Sequence, residues 1–308
     1  MTVNRRRLGA DMELTRDNYY TAEADRAYMS CSQYQRFCEC EAKAMAILDG
    51  RWAEEEREAF VVGNYFHTAF ESDEAHAQFV AEHEDTIYKK AKKDGTREKY
   101  APYIQADAMI ASARRDPLIA SLVSMPGETE KIMTGKLFGV PWRVRLDKYV
   151  PDGRLIIDWK TCQNIQELKW SDELHERVTF IDAYGYMMRA AVYTEIERQN
   201  AHSETDASFV IVAVSKQEPP DKEALLLNHR MRYDYELDRI KERLPFIQAV
   251  RSGHMRPKRC GRCDYCRATK VLQEIKPYYV LMPEFREGRD DEYDTNTTGT
   301  LLDDAQET

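Results

Sequence analysis

The sequence predicts a mixed fold of the α/β (α+β) class, in which a central mixed β-sheet is flanked by helices. Apolar residues recur at helical spacing through the first third of the chain and again after residue 179. Between residues 127 and 160 they instead alternate with a period of two. The predicted order is therefore helices, a three-stranded meander, a helix, a strand and a helix, with no internal repeat.

The first third of the chain is predicted to be a helical N-terminal region. One helix spans residues 30–50 and ends at Gly50, a residue suited to capping it, and a second spans residues 53–71. Further helices are predicted across residues 74–122, with breaks at Gly95 and near Pro102 and Pro117.

The meander consists of three predicted strands, "TEKIMTG", "VPWRVRLDKYV" and "RLIIDWK", separated by Gly135 and by the turn signal "PDG". In the second strand the apolar residues alternate with Arg143, Arg145 and Asp147, so Asp147 lies on the polar face. After the meander we predict a helix over 179–200, a strand "SFVIVAVS" and a long helix over 221–251.

The charge of the chain is concentrated at its C-terminus. The 308 residues carry a formal charge of −9, of which the stretch from Glu287 to Thr308, with eight acidic residues and one arginine, supplies −7. This stretch predicts a flexible tail, for solubility or for a partner. We therefore predict an extension over 1–27, one domain over 28–286 and a tail over 287–308.

The sequence predicts a soluble intracellular protein. No apolar run approaches the roughly 18 residues that cross a bilayer, and the basic residues near the N-terminus precede no apolar segment. Apolar residues make up 43% of the chain, which is enough for a substantial core.

Asp158 and Lys160 interrupt a strand that otherwise suits burial. Residues two apart share one face of a strand, so these two charges point together, while Ile157 and Trp159 point the other way. Asp147, on the adjacent strand, could approach Asp158, and two carboxylates suit Mg²⁺ in phosphodiester hydrolysis. The alternative is a surface salt bridge, but that would not explain the apolar surroundings.

The seven cysteines include a compact group near the C-terminus, where Cys260, Cys263 and Cys266 follow one another as C-x2-C-x2-C. Three thiolates at this spacing indicate a metal site that lacks a fourth ligand. The stretch "SQYQRFCEC" supplies one, Cys40 or Cys38. We expect Cys31 and Cys162 to be small buried residues.

Taken together, these motifs resemble the PD-(D/E)XK nucleases, and within them the RecB-type branch. The matching residues are Gly63 and His67 in "GNYFH", Glu130 in "ETEK", Asp147 in "RLD", and Asp158 and Lys160 in "IIDWKT". The resemblance implies a restriction-endonuclease-like core. It also implies that His67, Asp147, Asp158 and the Trp159 carbonyl bind Mg²⁺ or Mn²⁺, and that Lys160 and Glu130 assist catalysis.

The family usually carries Q-x-x-x-Y on the following helix, and here the best register places Arg189 and Tyr193 at those positions. Arg189 could contact a phosphate of DNA in a bidentate manner. Alternatively the register is wrong and the helix is only structural.

The cysteines resemble those of RecB-type nucleases with an iron-sulfur cluster, in which one cysteine precedes the nuclease core and three follow it. The register of the upstream motif makes Cys40 the fourth ligand, with Cys38 as the fallback. The resemblance implies a [4Fe-4S] cluster clamping the C-terminal segment, with zinc as the alternative because the downstream spacing is tighter than in those relatives.

Residues 28–275 most resemble phage and prophage exonucleases of the RecE type. This implies Mg²⁺-dependent 5′-to-3′ digestion of linear duplex DNA in a bacterial cytoplasm, a RecT-like annealing partner and a ring-shaped homo-oligomer. The alternatives are an end-trimming nuclease of the CRISPR-adaptation type and a DNA-binding protein with a decayed site. The basic stretches 89–100 and 256–270 are the candidate DNA-facing surfaces.

Overall fold

The computed structural model describes residues 12–54, 58–171 and 175–282. The chain divides into a compact unit that ends at Cys266 and a second unit that begins at Arg267. The predicted acidic tail lies outside the described residues, as do residues 1–11 of the predicted N-terminal extension. The predicted domain bounds stay predictions.

The described residues form seven strands, of which five make the central sheet. Their bounds are β1 (Glu128–Leu137), β2 (Val140–Val150), β3 (Leu155–Cys162), β4 (Lys169–Ser171), β5 (Glu176–Val178), β6 (Ser208–Ser215) and β7 (Lys222–Leu227). The sheet order is β1-β2-β3-β6-β7, with β3 and β6 parallel and the other pairs antiparallel. The predicted mixed central sheet is therefore confirmed.

Helices cover both faces of this sheet. Those described are α1 (Ala22–Ala27), α2 (Cys31–Glu39), α3 (Glu41–Leu48), α4 (Glu58–Glu71), α5 (Asp73–Glu82), α6 (Glu84–Ile87), α7 (Ala101–Arg114), α8 (Pro117–Ser124), α9 (Phe180–Ala183), α10 (Tyr186–Asn200), α11 (Arg230–Arg251) and α12 (Asp264–Ala268), with a 3₁₀ turn at Tyr278–Leu281. None of the helices in the described ranges is long and apolar enough to cross a membrane.

The predicted meander is present, but Gly135, predicted to separate its first two strands, lies inside β1, and the chain reverses at Phe138 and Gly139 instead. The turn after β2 has the expected chemistry. The chain reverses between β2 and β3 at residues 151–154, where Gly153 has a φ of 80° that favours glycine. The backbone N–H of Arg154 donates to the Pro151 carbonyl at 3.1 Å and closes the turn. The predicted strand "SFVIVAVS" coincides with β6.

Two predicted helices are each divided in the structure. The helix predicted over 30–50 breaks at Cys40, whose φ of −163° and ψ of 104° are extended, into α2 and α3. The helix predicted over 179–200 breaks at Gly185, whose φ of 66° is left-handed, into α9 and α10. Helical spacing alone does not reveal such breaks, because the apolar pattern continues across them.

The helix predicted over residues 221–251 is wrong in its first part. Residues Lys222–Leu227 form β7, an edge strand that pairs with β6, and the helix begins only at Arg230. The stretch "KEALLL" consists of good helix formers, but pairing with a buried neighbouring strand overrides that local preference.

Two apolar cores lie on opposite faces of the sheet. Ile156 belongs to the core that includes residues of α2, α10 and α11, whereas Ile157 and Trp159 belong to the core formed with α4, α7 and α8. Because side chains alternate along β3, Asp158 and Lys160 share the face of Ile156. This alternation confirms the predicted orientation and places both charges toward α10.

Candidate active site

The site forms where β2 and β3 separate. Their ladder runs from the pair Val150 and Leu155 to the pair Lys148 and Ile157 and stops there. The residue of β2 next to Lys148 is Asp147. Its Oδ2 accepts the Trp159 N–H at 2.9 Å, in place of a backbone carbonyl of β2. The Asp147 carboxylate therefore fills the gap between the diverging strands.

Glu130 occupies a distorted position in β1. Its neighbours Thr129 and Lys131 pair with β2, but Glu130 lies between them with a φ of 56°. A left-handed backbone is unfavourable for a residue with a Cβ, and such strain is concentrated at functional sites. The distortion accompanies a buried carboxylate, 6% exposed, that faces His67 and Asp147.

Helix α4 brings His67 to these carboxylates. Phe70, one turn further along α4, stacks on Trp159 of β3 with ring centroids 4.9 Å apart and fixes the helix against the sheet. His67 Nε2 then lies 3.0 Å from Asp147 Oδ2 and 3.6 Å from Glu130 Oε1. Gly63 lies one turn earlier, and a Cβ there would meet no atom within 4 Å, so this helix face is open.

Three donor atoms converge, one each from His67, Glu130 and Asp147, all within 4.8 Å of one another. The ligand set implied by the family resemblance instead combined His67 and Asp147 with Asp158 and the Trp159 carbonyl. In the structure Asp158 Oδ2 faces the Lys160 ammonium at 2.6 Å. The ligand role of Asp158 stays a prediction, and Glu130 joins the group that meets in space.

Lys160 lies among the acidic groups, as predicted. Its Nζ is 3.6 Å from Asp147 Oδ2, in addition to its contact with Asp158. It also donates to the Trp159 carbonyl at 3.1 Å. The carbonyl predicted to bind a metal therefore lies at the site, beside the ammonium.

The two strand carboxylates differ in their acidity. Burial works against ionisation of Asp147, but His67 and Lys160 outweigh it and hold its pKa below the usual range. Burial raises the pKa of Asp158, although Lys160 partly offsets that effect. Burial also opposes the charge of His67, yet Asp147 and Glu130 raise its pKa. Neighbouring groups with separated pKa values are typical of catalytic sites.

A divalent cation fits these residues. Glu130 Oε1 is buried and accepts no hydrogen bond from the residues that the structure describes, whereas Glu130 Oε2 lies 2.7 Å from Arg145 Nε and Asp158 Oδ2 lies 2.6 Å from Lys160 Nζ. A buried carboxylate oxygen without a donor is a position that a cation can occupy. Carboxylate oxygens together with an imidazole provide hard ligands for such an ion.

Arg189 of α10 reaches the same site. Its NH1 lies 4.0 Å from Asp158 Oδ1, and its guanidinium is within 6.0 Å of the rings of Tyr186 and Tyr193. The side chain of Arg189 remains 27% exposed, whereas Tyr193 is 8% exposed and packs on Phe209. The structure thus brings Arg189 to the cleft but not Tyr193, whose predicted DNA contact stays a prediction.

Two features of the site were missed from the sequence. Tyr186, one turn before Arg189, lies with its ring 5.7 Å from Lys160 Nζ; helical spacing from Arg189 could have pointed to it. The hairpin of β4 and β5 contributes Ser171 and Glu176 to the wall of the cleft. Strands of three residues carry too short an alternation to be recognised.

A cleft of about 1160 Å³ lies beside Lys160. Its walls come from α2, α4, β3, α9, α10, α11 and the β4–β5 hairpin, and its cationic lining residues are Lys160, Arg189, Lys216, Arg232 and Arg239. Small-molecule pockets usually have volumes of about 300–1,000 Å³. The cleft is therefore slightly larger than most small-molecule pockets.

The predicted cysteines form a second cluster. The sulfur atoms of Cys40, Cys260, Cys263 and Cys266 lie within 4.8 Å of one another. Cys38, the fallback ligand, is exposed and stands outside this group, whereas Cys31 and Cys162 are buried as expected.

The basic stretch 89–100 is largely neutralised by neighbouring acidic groups. Lys92 pairs with Glu98, and Lys99 pairs with Asp107 at 2.7 Å. Arg97 contacts an acidic residue of α6, Glu84, at 2.8 Å. The DNA-facing role of this stretch stays a prediction that these contacts do not favour.

Residues 30–269 match the family model described as a PDDEXK-like domain of unknown function (DUF3799). None of the curated proteins matches the sequence significantly. The structure is similar to the crystal structure of a "putative exonuclease" from Eubacterium rectale, with a TM-score of 0.78 and 33% identity over 88% of this chain and 99% of that chain. The crystal structure of SSO0001 is 12% identical over 76% of this chain and 90% of that chain. Its TM-score is only 0.26, so it does not indicate a shared fold.

The family match covers the donor group, Lys160, Arg189 and all four clustered cysteines. The five-stranded mixed sheet with helices on both faces agrees with the restriction-endonuclease-like fold that the motifs predict. The chain therefore belongs to the PDDEXK-like DUF3799 family, within the PD-(D/E)XK nuclease superfamily.

Proposed function

We propose that the protein is a Mg²⁺- or Mn²⁺-dependent exonuclease that hydrolyses the phosphodiester bonds of linear double-stranded DNA. The observation that carries this proposal is the convergence of His67, Glu130 and Asp147 donors within 4.8 Å, with Lys160 Nζ 3.6 Å from Asp147. The family membership and the similarity to a structure described as an exonuclease support it.

The residues that would hold the ion are His67, Glu130 and Asp147, with Asp158 and the Trp159 carbonyl as further predicted ligands. A divalent ion bound there would neutralise phosphate charge and lower the pKa of a coordinated water. Asp147 suits this role because it remains ionised, since His67 and Lys160 hold its pKa down.

Lys160 is the residue best placed to act on the scissile phosphate. Its ammonium lies 2.6 Å from Asp158 and is held charged, because Asp147 and Asp158 raise its pKa against the effect of burial. A fixed positive charge in a partly closed site stabilises the negative charge that develops as the phosphodiester is attacked. It could also orient the attacking water.

Arg189 supplies a second cation on the path of the DNA strand. Its guanidinium is partly exposed in the cleft and has aromatic rings beside it, which limits its side-chain motion. Arginine binds phosphate oxygens in a bidentate manner. Exposed aromatic residues along the cleft, Phe60 and Tyr184, could stack on bases without sequence preference.

The remaining details of the proposal rest on the resemblance to RecE-type exonucleases. We propose digestion from the 5′ end, which leaves a 3′ single strand for a RecT-like annealing protein. A ring-shaped homo-oligomer would keep hold of its DNA track during this digestion. The proposed setting is the cytoplasm of a bacterium that carries the phage or prophage.

A time course on end-labelled linear duplex and covalently closed circular duplex, with and without Mg²⁺, tests the proposal. We expect Mg²⁺-dependent shortening of the linear DNA, intact circles and no activity in Lys160→Ala. The matched control is Lys241→Ala, a change of the same type at an exposed position of α11 outside the cleft lining.

Three outcomes would overturn the proposal. Cleavage of closed circles would indicate an endonuclease, and removal of only a few terminal nucleotides would favour end trimming of the CRISPR-adaptation type. DNA binding without any cleavage would indicate a decayed site, which the intact Asp147, Asp158 and Lys160 argue against.

A further inference from the structure

The spacing of the four clustered sulfur atoms fits a single metal ion. Cys40 Sγ lies 3.6 Å from Cys266 Sγ, and Cys260 Sγ lies 4.0 Å from Cys266 Sγ. Four thiolates around one tetrahedral zinc, at a Zn–S distance of about 2.3 Å, stand about 3.8 Å apart. The observed distances fall on either side of that value.

A [4Fe-4S] cluster does not fit the same spacing. Each thiolate of such a cluster binds a different iron at a corner of a cube and points away from the others. The four sulfur atoms must then stand well farther apart than the 4.8 Å that contains them here. Four irons and four sulfides also occupy more room than one ion.

Local contacts hold the cysteines in this compact arrangement. The Cys263 N–H points to Cys260 Sγ at 3.3 Å, and the Cys266 N–H points to Cys263 Sγ at 3.4 Å. Such N–H groups fix the ligand atoms and stabilise thiolate charge. Cys40 and Cys266 are 4% and 2% exposed, so widening the group would require the loop to open and buried contacts to break.

We propose that Cys40, Cys260, Cys263 and Cys266 bind one zinc ion, in place of the [4Fe-4S] cluster that the resemblance implies. Soft thiolate ligands in a tetrahedral arrangement suit zinc. Four protein ligands leave no open coordination position, so the site is structural rather than catalytic. The proposal is independent of the proposed nuclease activity.

The position of Cys40 indicates which part of the fold the proposed ion would stabilise. Cys40 is the break between α2 and α3, and α2 contributes Tyr34, Gln35 and Glu39 to the wall of the cleft. Two contacts already join this break to the chain before Cys260: the Ala42 N–H donates to the Lys258 carbonyl at 2.9 Å, and the Lys258 N–H donates to Glu41 Oε2 at 2.8 Å. The ion completes the connection and fixes α2.

Metal and sulfide analysis of the full-length protein tests the proposal. The protein is produced in medium supplied with both iron and zinc and is purified without oxygen, so that an iron-sulfur cluster would survive. We expect one zinc per chain, no acid-labile sulfide and no absorption band near about 400 nm. Four irons with four sulfides per chain would overturn the proposal, and so would a protein that contains no metal.

Two serine variants test the ligand assignment. Cys40→Ser should lose most of the zinc, whereas Cys38→Ser, two residues away and exposed, should retain one zinc per chain. Retention of zinc by Cys40→Ser together with its loss from Cys38→Ser would overturn the assignment. If Cys40→Ser does not fold, replacement of zinc by Co²⁺ in the unmodified protein decides, because thiolate-bound tetrahedral cobalt has intense visible bands that octahedral cobalt lacks.

Discussion

The two clusters of metal-binding side chains differ in how far the protein itself satisfies their charge. At the active-site cluster, Glu130 Oε1 is buried and accepts no hydrogen bond from the described residues, whereas Arg145 and Lys160 pair with Glu130 Oε2 and Asp158 Oδ2. At the cysteine cluster, backbone N–H groups point at Cys260 and Cys263, and all four ligands come from the chain. The first site therefore leaves an oxygen that a cation could bind, whereas the second offers four sulfur atoms within 4.8 Å of one another.

This difference corresponds to the two roles proposed for the ions, one in the reaction and one in the structure. A reacting ion must exchange ligands with water and phosphate, so its site has to remain open on one side, and the cleft beside Lys160 provides that side. A structural ion is held by protein ligands alone. Under the two proposals, one chain carries an exchangeable ion where strands separate and a permanent one where two distant segments meet.

The largest expected effect is on cleavage in Asp147→Asn. The substitution keeps the shape but removes the charge that binds the proposed ion, pairs with His67 and lies 3.6 Å from Lys160. We expect cleavage of linear duplex to fall by about 10³-fold or more. Asp238→Asn, at an exposed position of α11 outside the cleft lining, is the matched control. Activity within about tenfold of the unmodified protein would contradict a role of the Asp147 charge in binding the proposed ion.

The next effect concerns stability and falls on Cys40→Ser. Loss of the ion releases the connection between the α2–α3 break and residues 260–266, so we expect the melting temperature to fall by about 5–15 °C. Differential scanning fluorimetry measures this shift. A Cys38→Ser variant with the melting temperature of the unmodified protein would support Cys40 as the ligand. Equal shifts in both variants would contradict a ligand role specific to Cys40.

A smaller effect is expected for Arg189→Ala. If Arg189 contacts a phosphate, its loss should weaken DNA binding by about tenfold and lower the slope of log affinity against log salt concentration by about one. Binding is measured with Ca²⁺ in place of Mg²⁺ to prevent cleavage. Arg189→Gln, which installs the residue usual in the family, should bind better than Arg189→Ala. An unchanged salt slope would indicate that Arg189 is only structural.

The smallest effect is a gain in stability in Glu130→Gln. In the absence of divalent ions, burial raises the pKa of Glu130 even though Arg145 Nε lies 2.7 Å from its Oε2, so the charged carboxylate destabilises the fold and its removal should raise the melting temperature by about 1–4 °C. The further increase that Mg²⁺ produces in the unmodified protein should be smaller in the variant. An undiminished Mg²⁺-induced shift would exclude Glu130 from the ion site.

The sequence predicted the elements that build the active site, because their patterns are local. Alternation identified the meander and β6, and the turn "PDG" fixed which strands are neighbours. The shared face of Asp158 and Lys160 follows from the period of a strand alone. The four clustered cysteines were identified from the spacing of three and the register of the fourth.

The features that were missed depend on distant contacts. Residues Lys222–Leu227 form a strand only because β6 offers an edge to pair with. The distorted backbone of Glu130 and the loss of pairing beyond Lys148, which bring Glu130 to His67, leave no mark in a local pattern. The break at Cys40 likewise makes sense only once Cys260 and its neighbours are brought to it.

Dialysis of the protein against EDTA, followed by metal analysis and a cleavage assay on linear duplex DNA, tests the contrast between the two sites most directly. We expect one zinc per chain to survive dialysis, cleavage to be lost, and Mg²⁺ alone to restore cleavage. Loss of the zinc together with the activity, or cleavage that persists without an added divalent ion, would contradict the proposal of one exchangeable catalytic ion and one permanent structural zinc.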